Sequence, residues 1–188
     1  NQISDKIIEH NIAAVCATWW WTGYYTSNRA HTCRDGAPGG YKLFDVAEDG
    51  SISWLYKPMM RDASYQFRVY DLNNCYITRA VFCPGAKSKV SDEFFSKYAY
   101  GYDKSRSDNK LLVNVFDYDE GWTVKAFEGS KELKVERVDT YDPLHVVHFN
   151  MARMNTNTTA MTFPSLKTSH MFEVQANDAL STVTVIVT

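Results

Sequence analysis

No stretch of this 188-residue chain stays apolar over the roughly 18 residues that a membrane-spanning helix needs. The opening Asn-Gln-Ile-Ser-Asp-Lys has neither an initiator Met nor the apolar centre of a signal peptide. Residue 1 is therefore expected to be a processing boundary, and the missing leader says nothing about where the parent protein resides. Charge of one sign is also scarce. The formal net charge is −2, shared between both halves, so no basic face exists to neutralise a run of phosphates, and nucleic acid is not an expected partner. Cysteine is sparse as well: Cys16, Cys33, Cys75 and Cys83 are too few for a disulfide scaffold and form no C-x-x-C pair. Buried, unpaired thiols are the expectation, with a Cys75–Cys83 bridge left open.

The usual catalytic signatures are missing too. There is no G-x-S-x-G, no phosphate-binding G-x-x-x-x-G-K-[ST] and no G-x-G-x-x-G, so the glycine run 36–40 is expected to be a structural turn. His145 and His148 would share one face of a helix, and a metal site there needs a third ligand; Asp139 and Asp142 lie nearby, but no H-E-x-x-H pattern supports such a site, and packing or exposure is the expectation for both. His10 and His170 stand alone. Asp117, Asp119 and Glu120 lie in a turn, where acidic groups are mostly solvated; weak calcium binding is the only other outcome that they offer.

What is present is enough to build a core, since 45% of the residues are hydrophobic and 22% charged, which excludes intrinsic disorder. Ile3, Ile7 and Ile8 are spaced for a short helix over residues 3–10. Residues 12–20, 41–46, 51–57 and 65–71 are expected to be strands. Asp49-Gly50 supplies the turn of a hairpin over 41–57, because glycine tolerates the positive φ that such a turn requires. Ser91-Asp-Glu predicts a helix start before Phe94 and Phe95. Beyond residue 105, apolar residues alternate in five runs, Leu111 to Val115, Trp122 to Ala126, Leu133 to Val135, Phe172 to Ala176 and Val183 to Val187. The last run stops without a turn or tail, as a strand cut short would. The chain is thus expected to be mainly β: an aromatic-rich β unit with one or two short helices over 1–105, then an immunoglobulin-like β-sandwich over 106–188.

The segment richest in chemistry is 16–41, CATWWWTGYYTSNRAHTCRDGAPGGY. If Trp19, Trp20 and Trp21 are extended, neighbouring indoles point to opposite faces, so at least one meets a second layer, a partner or a ligand. Together with Tyr24, Tyr25, His31, Arg34 and Asp35 they are the candidate interface or ligand-binding residues. Two readings follow from these residues alone: packing on both faces of a sheet, or a platform on which a sugar stacks, with Arg34 and Asp35 supplying polar contacts. A hydrolase built on His31, Arg34 and Asp35 is a third and weaker reading.

Three pieces in order, His10-Asn-Ile-Ala-Ala-Val through Trp19-Trp20-Trp21-Thr-Gly, then Arg34-Asp-Gly-Ala-Pro-Gly-Gly-Tyr41, then Ile52-Ser-Trp54-Leu-Tyr56-Lys57, resemble the C-terminal region of secreted bacterial calcineurin-like phosphoesterases. That family cleaves phosphoesters with two divalent metal ions held by an N-terminal catalytic domain. Its D-x-H, G-D, G-N-H-[DE] and G-H-x-H motifs have no counterpart here, so no catalytic residue and no metal ligand can be assigned. The resemblance implies a non-catalytic C-terminal region that packs beside a metallophosphoesterase domain of the parent chain and shapes its cleft, with the metals in that domain. It also implies export to the periplasm or cell surface. The alternative is a carbohydrate-binding module using the Trp and Tyr cluster, with a glycan as partner.

Overall fold

The computed structural model describes residues 2–4, 7–10 and 32–188. The first elements are two short antiparallel strands, β1 (Gln2–Ser4) and β2 (Ile7–Ile8), where the isoleucine spacing predicts a helix. β-Branched side chains lose rotamer freedom in a helix, and three isoleucines over eight residues are too few to nucleate one. The strand expected at 12–20 lies outside the described residues.

The hairpin forms as the sequence predicts. β3 (Gly40–Val46) pairs antiparallel with β4 (Ile52–Pro58), Gly40 opposite Pro58 and Val46 opposite Ile52. Gly50 takes φ +81°, and the Asp49 carboxylate accepts from Ser51 N–H at 2.9 Å, closing the turn. β5 (Phe67–Asp71) follows, then α1 (Arg79–Phe82) and α2 (Asp92–Ala99). Ser91 caps α2 by accepting from Phe94 N–H at 3.1 Å, Asp92 and Glu93 sit at the positive end of the helix dipole, and Tyr100 ends the helix in the left-handed conformation.

The remaining elements are β6 (Lys110–Val115), β7 (Val124–Glu128), β8 (Lys131–Glu132), β9 (Val135–Tyr141), α3 (Pro143–His145), a π-helical turn over Val146–Met151, α4 (Ala152–Asn155), β10 (Lys167–Gln175) and β11 (Val183–Val187). One four-stranded antiparallel sheet runs β5-β6-β10-β9, and a three-stranded antiparallel sheet runs β11-β7-β8. β5 and β6 come from opposite sides of residue 105, and Val69 stands opposite Val113.

Alternation along β6 explains the layers. Leu111, Val113 and Val115 point to one face, where they pack with Phe172, Val174, Ala126 and Leu133, so the two sheets share a core. Leu112 points to the other face and packs with Val90, Phe95, Val146, Met151 and Met154 of the helical layer. β6 is buried on both sides, which is why Leu111-Leu112-Val113 reads as a continuous apolar run rather than a clean alternation. The architecture is mainly β with a few short helices. The helices over 143–155, inserted between β9 and β10, are an addition to the sequence expectation.

Candidate functional site

Residues 32–38 fold into a tight turn in which Cys33 N–H donates to Ala37 O at 2.7 Å and Gly36 N–H to Cys33 O at 2.9 Å, with Thr32 bridged to Pro38. The Asp35 carboxylate accepts from Ala37 N–H at 3.0 Å. Gly36 has φ +84°, and a Cβ added there would lie 1.9 Å from Cγ of Asp142. Only a residue without a side chain lets this turn sit against that carboxylate.

Asp142 is fully buried and is held by three donors: Tyr70 Oη at 2.7 Å and Asn114 Nδ2 at 2.9 Å on one oxygen, and His145 N–H at 2.9 Å on the other. It is also the N-cap of α3, with Pro143 at the first helical position. Arg68 Nη1 stands 3.8 Å away and donates to Gly36 O at 2.8 Å and to Tyr70 Oη at 2.9 Å. Asn114 Nδ2 also donates to Asp35 O at 2.9 Å. Residues from the turn, β5, β6 and the start of the helical insert thus meet at one buried point. Burial raises the Asp142 carboxyl above the usual carboxylate range, against the pull of Arg68, Tyr70 and Asn114.

Around this centre, the His145 imidazole contacts Ser165 Oγ through Nδ1 at 2.8 Å and stacks on Phe149. Burial pushes the imidazole down to about 4. Ser165 and His145 are at the distance of a nucleophile and its base, but they are only 3% and 1% exposed. The nearby Asp142 meets the His145 backbone N–H rather than its ring, so among the described residues no carboxylate orients the imidazole as a base. This pair is structural.

The two described members of the predicted site contact the protein's own body. Arg34 donates through Nε and Nη2 to Pro164 O at 3.1 and 3.0 Å and lies over the Phe163 ring. Asp35 Oδ2 pairs with His170 Nε2 at 3.3 Å. Burial opposes ionisation of Asp35, yet the contacts from His170 and Ala37 N–H outweigh it and hold the carboxyl below its ordinary range. Both side chains fasten the turn to the β10 side of the molecule. Trp19, Trp20, Trp21, Tyr24, Tyr25 and His31 lie outside the described residues.

A second cluster secures the hairpin. Lys42 Nζ lies 2.7 Å from Asp117 Oδ1 and 2.7 Å from His10 Nδ1, and the His10 ring packs edge-on against Phe44 and Trp54. Tyr56 packs with Ala37 and Phe116, and its hydroxyl donates to Pro38 O. The hairpin is therefore fixed at its base.

Among the described residues, no group of three or more His, Cys, Asp or Glu side chains is arranged to hold a metal ion. The best-buried carboxylate, Asp142, already accepts three hydrogen bonds beside an arginine, and such a donor set does not fit a divalent cation. Cys33, Cys75 and Cys83 are free thiols. Among the described residues no helix is long and apolar enough to cross a membrane.

Sequence reasoning weighed Asp142 only as a third metal ligand beside His145 and His148, and did not select Arg68 or Asn114. The Asp142-Pro143 pair was the available signal, since an N-cap acid followed by proline marks a helix start.

The family model described as the C terminal of calcineurin-like phosphoesterase matches residues 9–188. No curated protein and no solved structure matches the chain. The match takes in the Gly36 turn, the hairpin, both sheets and the helical insert, so the chain belongs to the C-terminal domain family of calcineurin-like phosphoesterases.

Proposed function

We propose that this chain is a non-catalytic accessory region that packs against the phosphoesterase domain of its parent protein and shapes one wall of that domain's cleft. The observation that carries this reading is the β3–β4 hairpin. Its base is fixed, but large apolar side chains are exposed on both of its faces: Leu43 at 49% and Leu55 at 39%, directly opposite one another, on one face, and Phe44 with the Val46 and Ile52 pair towards the tip on the other, with Met60 just beyond. So many large apolar side chains on one protruding element mark a surface made for a partner. The partner of this reading is the domain that the family description places before it in the chain. The two divalent cations of the family's chemistry belong to that domain. The Asp142 centre gives this region rigidity rather than reactivity.

Leu43 and Leu55 are already about half buried, so covering what remains of each contributes about 0.6–1.5 kcal/mol to domain docking. In the intact two-domain protein, Leu43→Asp combined with Leu55→Asp is expected to expose the junction to protease and to lower phosphoesterase turnover. The region's own unfolding free energy, read from urea titration, should change by no more than about 0.5 kcal/mol, as for surface changes. Unchanged turnover and unchanged proteolysis would sink the reading.

In the same proposal the two packed sheets form an immunoglobulin-like module, supported by their shared core and modified by the helical insert. Residence at the periplasm or cell surface rests on the family resemblance alone. Protease digestion of intact cells tests it.

A further inference from the structure

A cavity of about 590 Å³ opens on the helical layer, between the end of β5 with the loop after it, α1, and the start of the helical insert. Its size falls in the range of small-molecule sites, roughly 300–1,000 Å³. Tyr76 and Val81 stand at the mouth, 47% and 69% exposed, and deeper in the wall are Phe82 and Pro143. The inner wall is partly made by Val147 and His148, both from the π-helical turn Val146–Met151. A π-turn widens a helix by one residue and recurs at functional sites because it re-aims side chains. Here Val146 and Met151 enter the core, while Val147 and His148 line the cavity.

The wall has one uniform property. Its polar members are Asn, Tyr, Cys and His, and among the described residues it contains no Lys, Arg, Asp or Glu. His148, Cys75 and Tyr70 are also held in their neutral forms. Burial lowers the His148 imidazole to about 4, with Arg68 adding to the effect, and raises the Cys75 thiol to about 11 and the Tyr70 phenol well above its usual range. A charged ligand entering this space would lose hydration and find no counter-charge. An uncharged ring would lie among Phe82, Pro143 and the His148 ring.

We infer that this cavity is a binding site for a small, uncharged, planar ligand, seated against the π-helical turn. The inference is independent of the accessory role proposed above, because it concerns only this chain's own residues.

Titration of the chain with indole, followed by amide NMR, tests it. Indole should give saturable shifts centred on Ile77, Val147 and His148. Tryptamine and indole-3-acetate, of similar shape but charged, should bind at least about tenfold more weakly. Val147→Trp, which fills the cavity from the inside, should abolish the indole shifts. Val81→Trp at the exposed mouth should do the same, and serves if the inner substitution disturbs folding. Non-saturating shifts, equal binding of the charged analogues, or indole binding that survives Val81→Trp in a folded chain would each overturn the assignment.

Discussion

Gly36→Ala tests the reasoning about the buried centre most directly. Two costs combine at this position. The first is backbone strain: φ is +84°, a conformation that costs an alanine roughly 1–2 kcal/mol. The second is collision. The new methyl would lie 1.9 Å from Asp142 Cγ and 2.2 Å from Oδ2, so either the turn or the carboxylate must move by more than an ångström. Moving the carboxylate breaks contacts with Tyr70, Asn114 and His145 N–H, and hydrogen bonds to a charged group are worth about 1.5–3 kcal/mol each. Losing one of them beside the strain term gives a total of about 2.5–5 kcal/mol, a large share of the roughly 5–15 kcal/mol that stabilises a typical domain.

Gly50→Ala supplies the control. Gly50 has nearly the same φ, +81°, but an added Cβ there meets nothing within 4 Å, so this change isolates the strain term at about 1–2 kcal/mol. Urea unfolding of both variants, with unchanged slope and shifted midpoint, measures the difference. If Gly36→Ala costs no more than Gly50→Ala, the tight seat of the turn on Asp142 is not a source of stability and the account of the centre fails.

Acid should destabilise this fold through its histidines. His145 and His148 are held near 4 in the folded chain against about 6.5 unfolded, so the unfolded chain binds more protons between those values. Stability is therefore complete above about pH 6.5 and falls as pH drops towards 4, by roughly 3 kcal/mol for each histidine at the limit; urea midpoints taken across that range check it, and a flat profile refutes it. Arg34→Lys should cost about 1–2 kcal/mol, because a lysine cannot reproduce the paired contacts to Pro164 O or lie flat over Phe163; equal urea midpoints for variant and parent would contradict this.

Much of the fold was written in local signals. Asp49-Gly50 announced the hairpin, Ser91 with Asp92 and Glu93 announced α2, and period-two runs announced β6, β7, β10 and β11. Elements of two or three residues, such as β1, β2 and β8, are shorter than any window in which a period can be counted. The helical insert was hidden because Val146 and Val147 are β-branched and His145 and His148 drew attention as possible ligands. The buried centre could not be read at all by local means. It joins Asp35, Gly36, Arg68, Asn114, Asp142 and His170, residues that only the completed sheet brings together. Arg34 and Asp35 were distinctive in the sequence as candidate polar contacts, but the sequence could not show that their partners are Pro164, Phe163 and His170.

The strand order β5-β6-β10-β9 bears on how the polypeptide acquires its shape during synthesis. β10 lies between β6 and β9, so until residues 167–175 have emerged from the ribosome those two strands have no neighbour to bridge them. The face of β6 that carries Val113 and Val115 then lacks Phe172 and Val174, and the sheet stops at the β5–β6 pair. The four-stranded sheet is therefore completed only once residues 167–175 have been made, late in the order in which the described strands are synthesised.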